Sequence, residues 1–439
     1  MFDRRLLSNF DWYLLLLVLA ITGIGLLSIH SASQGFGGAT VYWTRQLTWV
    51  GVALILAFLA VLVDFRTIGG WSYVIQGVMV AILGTLILFD GSGSGVNRWF
   101  NIGPVAIQPS EFAKLTTVLA VAYHLRDSGR PGGLGLKQLA VPVLILLVPV
   151  FLIVRQPDLG TAVLLLLSTA PVLLLAGIRI RLLLTLTGAA LIAVVVLMAS
   201  FQLGTYRIPP QLPELLQERG ASERIVQRAR AALAREFSTR NELREAIFTE
   251  DAAGADGYLA SIAERSFRPY ISHVLRPYQQ KRLLTFLDPD QDPLGAGYHV
   301  IQSKIAIGSG AFWGKGYGNS TQGALNFLPA RHTDFLFSIY AEEWGFAGVL
   351  VLMSLYGLVI LRGLLILYQT RDRFSAFLIM GVVSIVTAQV LVNIGMVVGL
   401  LPVVGVPLPF FSYGGSSMVS LMIGVALILN IRMRRFLWT

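Results

Sequence analysis

The feature that most constrains this chain is a succession of apolar runs, each long enough to cross a lipid bilayer. A spanning helix needs roughly 17 to 25 mostly apolar residues. We place such runs at residues 11–30, 46–63, 72–89, 110–125, 138–154, 160–177, 182–201, 335–361, 376–400 and 408–431. Charged residues make up 13% of the chain, about half the fraction of a soluble globular domain. The sequence therefore predicts an all-α polytopic membrane protein with ten transmembrane helices.

The positive charges predict how these helices are oriented. If the N-terminus is cytoplasmic, the inner segments are rich in arginine, and the short outer loops hold only Arg45, Arg98 and Arg155. The positive-inside rule then places both termini in the cytoplasm. This asymmetry also explains the net charge of +10, so we expect no nucleic-acid partner. The first run follows Arg4-Arg5 as in a signal peptide, but its length and the nine later spans favour an uncleaved helix.

One connection is far longer than an ordinary loop. We divide the chain into helices 1–7 over residues 1–201, an extracytoplasmic loop over 202–334, and helices 8–10 with a cytoplasmic C-terminus over 335–439. Residues 209–277 predict a helical insert whose mixed charges suit a solvated surface or, alternatively, a surface that binds a partner. Residues 278–334 are rich in glycine, which predicts a compact, irregular segment with close backbone approaches.

Two similar helix starts lie at the predicted outer face. Residues 108–111 (Gln-Pro-Ser-Glu) open the fourth helix, and residues 156–161 (Gln-Pro-Asp-Leu-Gly-Thr) open the sixth. Ser110 and Asp158 suit the N-cap position, and Glu111 suits the positive end of a helix dipole. Capping alone would account for these three side chains.

Capping does not account for Lys114. This residue lies one turn inside the fourth helix on the same face as Glu111, at a depth where an unpaired ammonium is costly. Asp158 starts from the same predicted face of the membrane. We therefore predict a buried Lys114–Asp158 pair, with Glu111 beside it, that braces two helices and lines a substrate cavity.

A titratable cluster, Arg331-His332-Thr333-Asp334, runs straight into the eighth apolar run. Helix capping is the simplest role for Asp334, but a cap does not need so many polar neighbours, and Glu342-Glu343 follow two turns later. A carboxylate in a partly dry cleft can act as a general base. The sequence has no paired-histidine spacing typical of zinc sites and no phosphate-binding or dinucleotide motif.

Residues 402–417 interrupt the apolar pattern before the last helix. They contain three prolines and three glycines, followed by Ser416 and Ser417. Such a broken, re-entrant segment is tolerated at membrane depth when it is buried in protein or lines a watery cavity. Close packing of helices through small residues is an equal alternative.

Together these motifs resemble the SEDS family (shape, elongation, division and sporulation). The resemblance rests on residues 97–99 (Asn-Arg-Trp), 108–111 with Lys114, 156–161, 292–298, 302–310, 332–335 and 402–417, in the family's order. It covers nearly all of the chain except residues 207–277. The forms at residues 303–304 and 404–409 are closer to the members that serve cell elongation than to those that serve division.

The resemblance implies a peptidoglycan glycosyltransferase that polymerises lipid II outside the bacterial cytoplasmic membrane. In the family, the residue that matches Asp334 is regarded as catalytic. It would take the proton from the acceptor's 4-hydroxyl as that oxygen attacks the donor's anomeric carbon. Arg98, Lys304 or Arg331, or a divalent cation such as Mg²⁺ or Mn²⁺, would balance the charge of the pyrophosphate leaving group. No organic cofactor is expected.

The other residues expected to bind substrate or support the cavity share their position in these motifs. They are Arg98, Trp99, Glu111, Lys114, Asp158, Lys304, Arg331, His332 and Ser416. The expected partners are lipid II and the growing glycan strand, a class B penicillin-binding protein, and other membrane proteins of the elongation complex.

Two other classes of function remain open from the sequence. A flippase for lipid II would also suit ten helices with buried charges. It would need a route to the cytoplasmic face, where we expect no comparable charged cluster. A non-enzymatic scaffold that recruits cell-wall enzymes is the other alternative, although a scaffold would not need a buried lysine.

Overall fold

The computed structural model describes most of the membrane-embedded part of the chain. The described residues are 9–33, 39–88, 98–102, 105–127, 135–156, 158–178, 206–207, 212–218, 221–232, 246–247, 268–269, 296–324 and 332–435. The predicted seventh span, residues 182–201, lies outside them. The chain forms two compact units, one of residues 1–179 and 281–439 and one of residues 180–280.

The first half of the larger unit follows the predicted apolar runs closely. Its helices are α1 (Trp12–Ser33), α2 (Ala39–Leu62), α3 (Phe65–Gly70), α4 (Ser72–Leu88), α5 (Pro109–Leu125), α6 (Leu136–Arg155) and α7 (Leu159–Leu175). Strands β1 (Phe100–Ile102) and β2 (Val105–Ile107) pair antiparallel between α4 and α5. Helix α2 begins at Ala39 rather than at residue 46, so its first turns include polar side chains such as Gln46.

The smaller unit contains the predicted insert. Its described elements are β3 (Tyr206–Arg207), α8 (Leu212–Glu218), α9 (Glu223–Ala232) and β4 (Arg268–Pro269). Helices α8 and α9 pack on each other through buried Leu212, Leu216 and Val226. Strands β3 and β4 pair antiparallel, with Tyr206 opposite Pro269. The two described ends of the insert therefore lie side by side.

The second half of the larger unit departs from the sequence prediction in two places. Its helices are α10 (Ala296–Ser309), α11 (Thr321–Ala324), α12 (Leu336–Tyr368), α13 (Arg373–Val397) and α14 (Gly415–Arg434). The glycine-rich stretch that we expected to be irregular contains the 14-residue helix α10. The last helix begins at Gly415 rather than at residue 408, because the proline-rich residues before it are not helical.

Six described helices are long and apolar enough to cross a membrane. They are Trp12–Ser33, Val41–Leu62, Lys137–Arg155, Leu336–Tyr368, Arg373–Val397 and Gly415–Arg434, and α4 and α7 are shorter apolar helices. The apolar windows of α13 and α14 are 78% and 89% buried, against 17% for α2. Helices α13 and α14 therefore form the centre of the bundle, and α2 faces outward on its rim.

Helix α12 has 33 residues, about 50 Å, which exceeds the hydrocarbon core of a bilayer. It kinks at Gly345, whose φ of 63° and ψ of −165° are not helical. The segment after α10 pairs with the backbone that the kink exposes. Lys315 N donates to Glu342 O at 3.0 Å, and Phe346 N donates to Ala311 O at 2.9 Å. The backbone groups that the kink removes from the helix are thus hydrogen-bonded to the segment after α10, so the kink is a stable part of the fold.

Candidate functional site

Asp158 is the centre of a hydrogen-bond hub that joins the starts of α5 and α7. Its Oδ2 accepts from Gln108 Nε2 at 2.9 Å, Ser110 Oγ at 3.2 Å and Thr161 Oγ1 at 2.8 Å. Its Oδ1 accepts from Thr161 N at 3.2 Å, which confirms Asp158 as the N-cap of α7. The capping role predicted for Ser110 is wrong, because Gln108 occupies that position and Ser110 lies inside α5. Neutral donors therefore saturate the carboxylate of Asp158.

The predicted Lys114–Asp158 pair is also wrong in its partner. Lys114 Nζ instead donates to both carboxylate oxygens of Glu111, at 3.0 and 2.9 Å. The two side chains are 1% and 5% exposed. Helix geometry explains the choice, because residues three apart in α5 face each other, whereas Asp158 is already occupied. Ser420 Oγ donates to Glu111 O at 2.9 Å, which ties the pair to α14.

Asp334 lies in the turn that leads into α12. The side chain is half-buried, and its backbone carbonyl accepts from Asn393 Nδ2 at 3.0 Å. The N-cap of α12 is Phe335 and makes no capping hydrogen bond through its side chain. The N-cap position of α12 is therefore Phe335 and not Asp334.

The ring of His332, in the same turn, packs between two tyrosines. It stacks on Tyr42 with ring centroids 4.3 Å apart and meets the edge of Tyr413 at 5.8 Å. Tyr413 N also donates to His332 O at 3.0 Å. Tyr42 belongs to α2, so this aromatic group fixes the turn against both α2 and the residues that precede α14.

Residues 402–414, which we call the re-entrant segment, connect the Asp334 turn to the Asp158 hub. Asn393 Nδ2 donates to Val406 O at 2.7 Å as well as to Asp334 O. On the other side, the segment approaches α7 so closely that a Cβ on Gly160 would lie 2.6 Å from Val404 O. Only glycine fits such an approach. The predicted broken segment is confirmed as irregular, and its residues 408–412 are buried.

Ser416 completes the connection immediately after this segment. Its Oγ accepts from Gln108 N at 2.9 Å, so the start of α14 is joined to the start of α5. Gly414 N donates to Gln46 Oε1 of α2 at 3.2 Å. The starts of α5, α7, α12 and α14 therefore meet at one end of the bundle. The motifs around Lys114, Asp158 and Asp334 were expected at one face of the membrane, and this arrangement agrees with that.

Sequence reasoning missed two buried amides of α13, Gln389 and Asn393. Both are fully buried, and among the described residues neither atom of the Gln389 amide has a hydrogen-bond partner, nor has Asn393 Oδ1. They lie four residues apart and so share one face of the helix. The signal was available, because amides inside an apolar run mark packing or functional contacts in membrane helices.

The remaining predicted site residues lie around this end of the bundle to different extents. Arg98 Nε donates to Gln156 O at 3.1 Å, beside the hub. Trp99 is exposed. Lys304 of α10 is also exposed. Its side chain packs against Gly399, where a Cβ would lie only 2.4 Å from Lys304 Cε. Arg331 falls outside the described residues.

The donor set at this site does not fit a metal ion held by protein side chains. Among the residues that the structure describes, no three His, Asp or Glu side chains come close enough to form a metal site. The carboxylates of Asp158 and Glu111 are engaged, the first by neutral donors and the second by Lys114. The arrangement can instead supply the half-buried carboxylate of Asp334, in a turn whose backbone is held by Asn393.

Comparison with known proteins shows which family the chain matches. The profile of the cell cycle proteins FtsW, RodA and SpoVE matches residues 11–227 and 258–436. The chain is 34% identical to the peptidoglycan glycosyltransferase RodA of Treponema pallidum, over 98% of this chain and 99% of that protein. It is also 34% identical to the peptidoglycan glycosyltransferase MrdB of Escherichia coli K12, over 97% of this chain and 94% of that protein.

These matches narrow the part of the chain that departs from the family. The profile leaves out residues 228–257, whereas the motifs suggested a departure over 207–277. Among solved structures, a chain from a study of polymerization and crosslinking by a peptidoglycan synthase complex has a TM-score of 0.67, with 28% identity over 97% of this chain and 98% of that chain. The rod shape determining protein RodA of Thermus thermophilus has a TM-score of 0.60 at 24% identity, with 97% and 98% coverage, which supports the shared fold.

Proposed function

The chain belongs to the FtsW, RodA and SpoVE family, and from this membership we propose that it polymerises lipid II into β-1,4-linked glycan strands with Asp334 as the general base. At the coarser level it is a RodA-like peptidoglycan glycosyltransferase, the activity for which its 34% identical relatives are named. By the positive-inside rule, the site faces outside the cytoplasmic membrane and both termini are cytoplasmic.

The observation that carries this proposal is the position of Asp334. The residue is half-buried, its backbone is fixed by Asn393, and the re-entrant segment links its turn to the Asp158 hub. A base must be held in place to act on a hydroxyl within hydrogen-bond reach. The hydrogen bonds of Asn393 supply this constraint through the backbone of Asp334 and Val406.

In the proposed step, Asp334 accepts the proton of the acceptor's 4-hydroxyl on N-acetylglucosamine. The hydroxyl oxygen forms a bond to C1 of the donor's N-acetylmuramic acid as the bond from C1 to the pyrophosphate oxygen breaks. Undecaprenyl pyrophosphate leaves with the bonding electron pair. Attack from the opposite face converts the α-linked donor into a β-1,4 linkage.

In the proposed step, cationic side chains balance the negative charge of the pyrophosphate leaving group. Lys304 is exposed and makes no hydrogen bond or ion pair with the described part of the chain, so its ammonium is available to an anionic ligand. Arg98 lies beside the hub, and Arg331 precedes the Asp334 turn in the sequence.

The proposed partner is a class B penicillin-binding protein that crosslinks the product. The 28% identical structural relative comes from a study of coordinated polymerization and crosslinking. The elongation role rests on the same RodA likeness. Other membrane proteins of the elongation complex would bind the same assembly.

The test is polymer formation from purified lipid II, with and without the partner, measured by gel separation of labelled glycan strands. We expect strands longer than the starting disaccharide, and an increase when the partner is present. A parallel assay of lipid II movement across proteoliposomes tests the flippase alternative. Transport without any polymer would overturn the proposed function, and neither activity would favour a scaffold.

A further inference from the structure

A second site lies at the far end of the bundle from Asp334. It is a cavity of about 250 Å³ formed by the start of α3, the turn before α13 and the last turn of α14. Its charged lining residues are Arg66, Arg371, Arg432, Arg434, Arg435 and Asp372. We call it the arginine pocket. The expectation of no comparable charged cluster on this face is therefore wrong, because three segments that are far apart in the sequence, at residues 66, 371–372 and 432–435, meet only in the fold.

The few carboxylates around the pocket are already engaged. Asp372 caps α13, accepting from Ser375 N at 2.9 Å and from its hydroxyl at 2.5 Å. Asp11 pairs with Arg362 at 2.7 Å and reaches Arg432 only at 4.0 Å. Asp64 lies 3.7 Å from Arg434. Among the described residues, and with Arg362 included, six guanidinium groups face three carboxylates, so positive charge is in excess in this part of the chain.

Two of the arginines are held together by an acceptor without charge. Arg432 and Arg435 each donate to the same oxygen, Gln369 Oε1, at 2.8 and 3.0 Å. Arg371 is exposed and makes no hydrogen bond or ion pair with the described residues. Like charges that converge in this way repel unless an anion lies between them. Arginine is also the side chain that best matches phosphate, because its donors form a planar fork.

An apolar groove adjoins the arginine pocket. Its volume is about 640 Å³, and its lining includes Trp12, Leu15, Phe58, Met422 and Leu429 from α1, α2 and α14. Arg434 lines both the groove and the pocket. Trp12 is exposed at the mouth of the groove, as is typical of aromatic side chains at a membrane interface. The two cavities together pair an apolar channel with a cationic end.

We propose that one anionic phospholipid binds here, with its phosphate in the arginine pocket and an acyl chain along the groove. The occupant follows from charge complementarity and from the arginine that the two cavities share. The positive-inside rule places this face in the cytoplasmic leaflet, where anionic lipids attract basic residues. The site is independent of the proposed glycosyl transfer, since it lies at the opposite end of α14 from Ser416.

The test uses the full-length protein, delipidated in detergent and then given phosphatidylglycerol or phosphatidylcholine with identical chains. Native mass spectrometry measures the dissociation constant of the bound lipid. We expect phosphatidylglycerol to bind more tightly, and Arg371→Gln to weaken it about fivefold, as for one basic side chain near a membrane surface. Arg373→Gln is the matched control, because Arg373 is also exposed, lies two residues away and does not line the pocket.

A second pair of variants tests the groove. Ala57 lines it and Leu59 does not, so Ala57→Trp should weaken binding and Leu59→Trp should not. Arg371 and Leu59 are exposed, and a thermal melt of each variant checks that it is folded. Equal binding of both lipids, or equal effects of Arg371→Gln and Arg373→Gln, would overturn the proposal. So would a free-phosphate site, which competition by inorganic phosphate and indifference to Ala57→Trp would reveal.

Discussion

Breaking the buried Lys114–Glu111 pair should lower the free energy of unfolding by an amount that follows from the burial of the two side chains. Both side chains are almost fully enclosed, and the ammonium lies 2.9–3.0 Å from the two carboxylate oxygens. Lys114→Met leaves Glu111 buried without its counter-charge, which should cost about 3–5 kcal/mol of unfolding free energy. Glu111→Gln should cost a similar amount. The double variant Glu111→Gln with Lys114→Met should recover much of that loss, because no charge is then stranded.

The assay is unfolding in mixed detergent micelles, followed by circular dichroism for wild type, both single variants and the double variant. The four values give the coupling energy of the pair. Arg126 and Asp127 form the matched control, since they pair at 3.0 Å beside the same helix but are 38% and 81% exposed. Breaking that exposed pair should cost less than about 1 kcal/mol.

Lys114 should couple to Glu111 and not to Asp158. Asp158 accepts from neutral donors, so Asp158→Asn combined with Lys114→Met should be close to additive. A strong coupling of Lys114 to Asp158, together with additive effects of Lys114 and Glu111, would refute the observed pairing. It would support instead the pair that the sequence suggested.

Three further predictions concern the site and the insert. Asn393→Leu leaves two carbonyls, Asp334 O and Val406 O, without their donor. We expect unfolding free energy to fall by about 1–3 kcal/mol for each acceptor, measured by denaturation. Polymerisation in a lipid II assay should also slow, and an unchanged rate would contradict this prediction. Lys304→Gln should raise KM for lipid II with little change in stability, because its ammonium is exposed; an unaltered KM would exclude it from substrate binding. Replacing residues 209–267 with a short Gly/Ser linker keeps β3 and β4 and should preserve polymer yield in the purified assay, whereas a folded but inactive product would show that the insert helps to build the site.

Periodicity and length predicted the helices well where one apolar run corresponds to one helix. Helix α5 begins at Pro109 and α7 follows the Asp158 cap, as the motifs predicted. Prediction failed where tertiary contacts decide the backbone. Leu408 looks like the start of a span, but its carbonyl and amide serve the turn at Ser412, and the helix begins only after Gly414.

The candidate site was predicted in its members but not in its pairings. Sequence identified Lys114 as a charge that needs an anion, and Glu111 and Asp158 as nearby acids. It could not decide which of the two acids pairs with Lys114. Asp158 accepts hydrogen bonds from Gln108 and Thr161 instead, and the directions of those side chains depend on helix packing. Asn393 was missed for the same reason, since its two acceptors lie 13 and 59 residues away in the chain.

Asp334→Asn keeps the shape of the side chain and removes the base, so this variant is the decisive test of the role proposed for Asp334. Purified wild type and variant, each with the crosslinking partner, are given labelled lipid II, and the initial rate of glycan formation is measured. We predict a fall of roughly 10²- to 10⁴-fold, the range for loss of a general base, with folding and lipid II binding retained. A well-folded Asp334→Asn protein that polymerises at the wild-type rate would contradict the proposed role of Asp334.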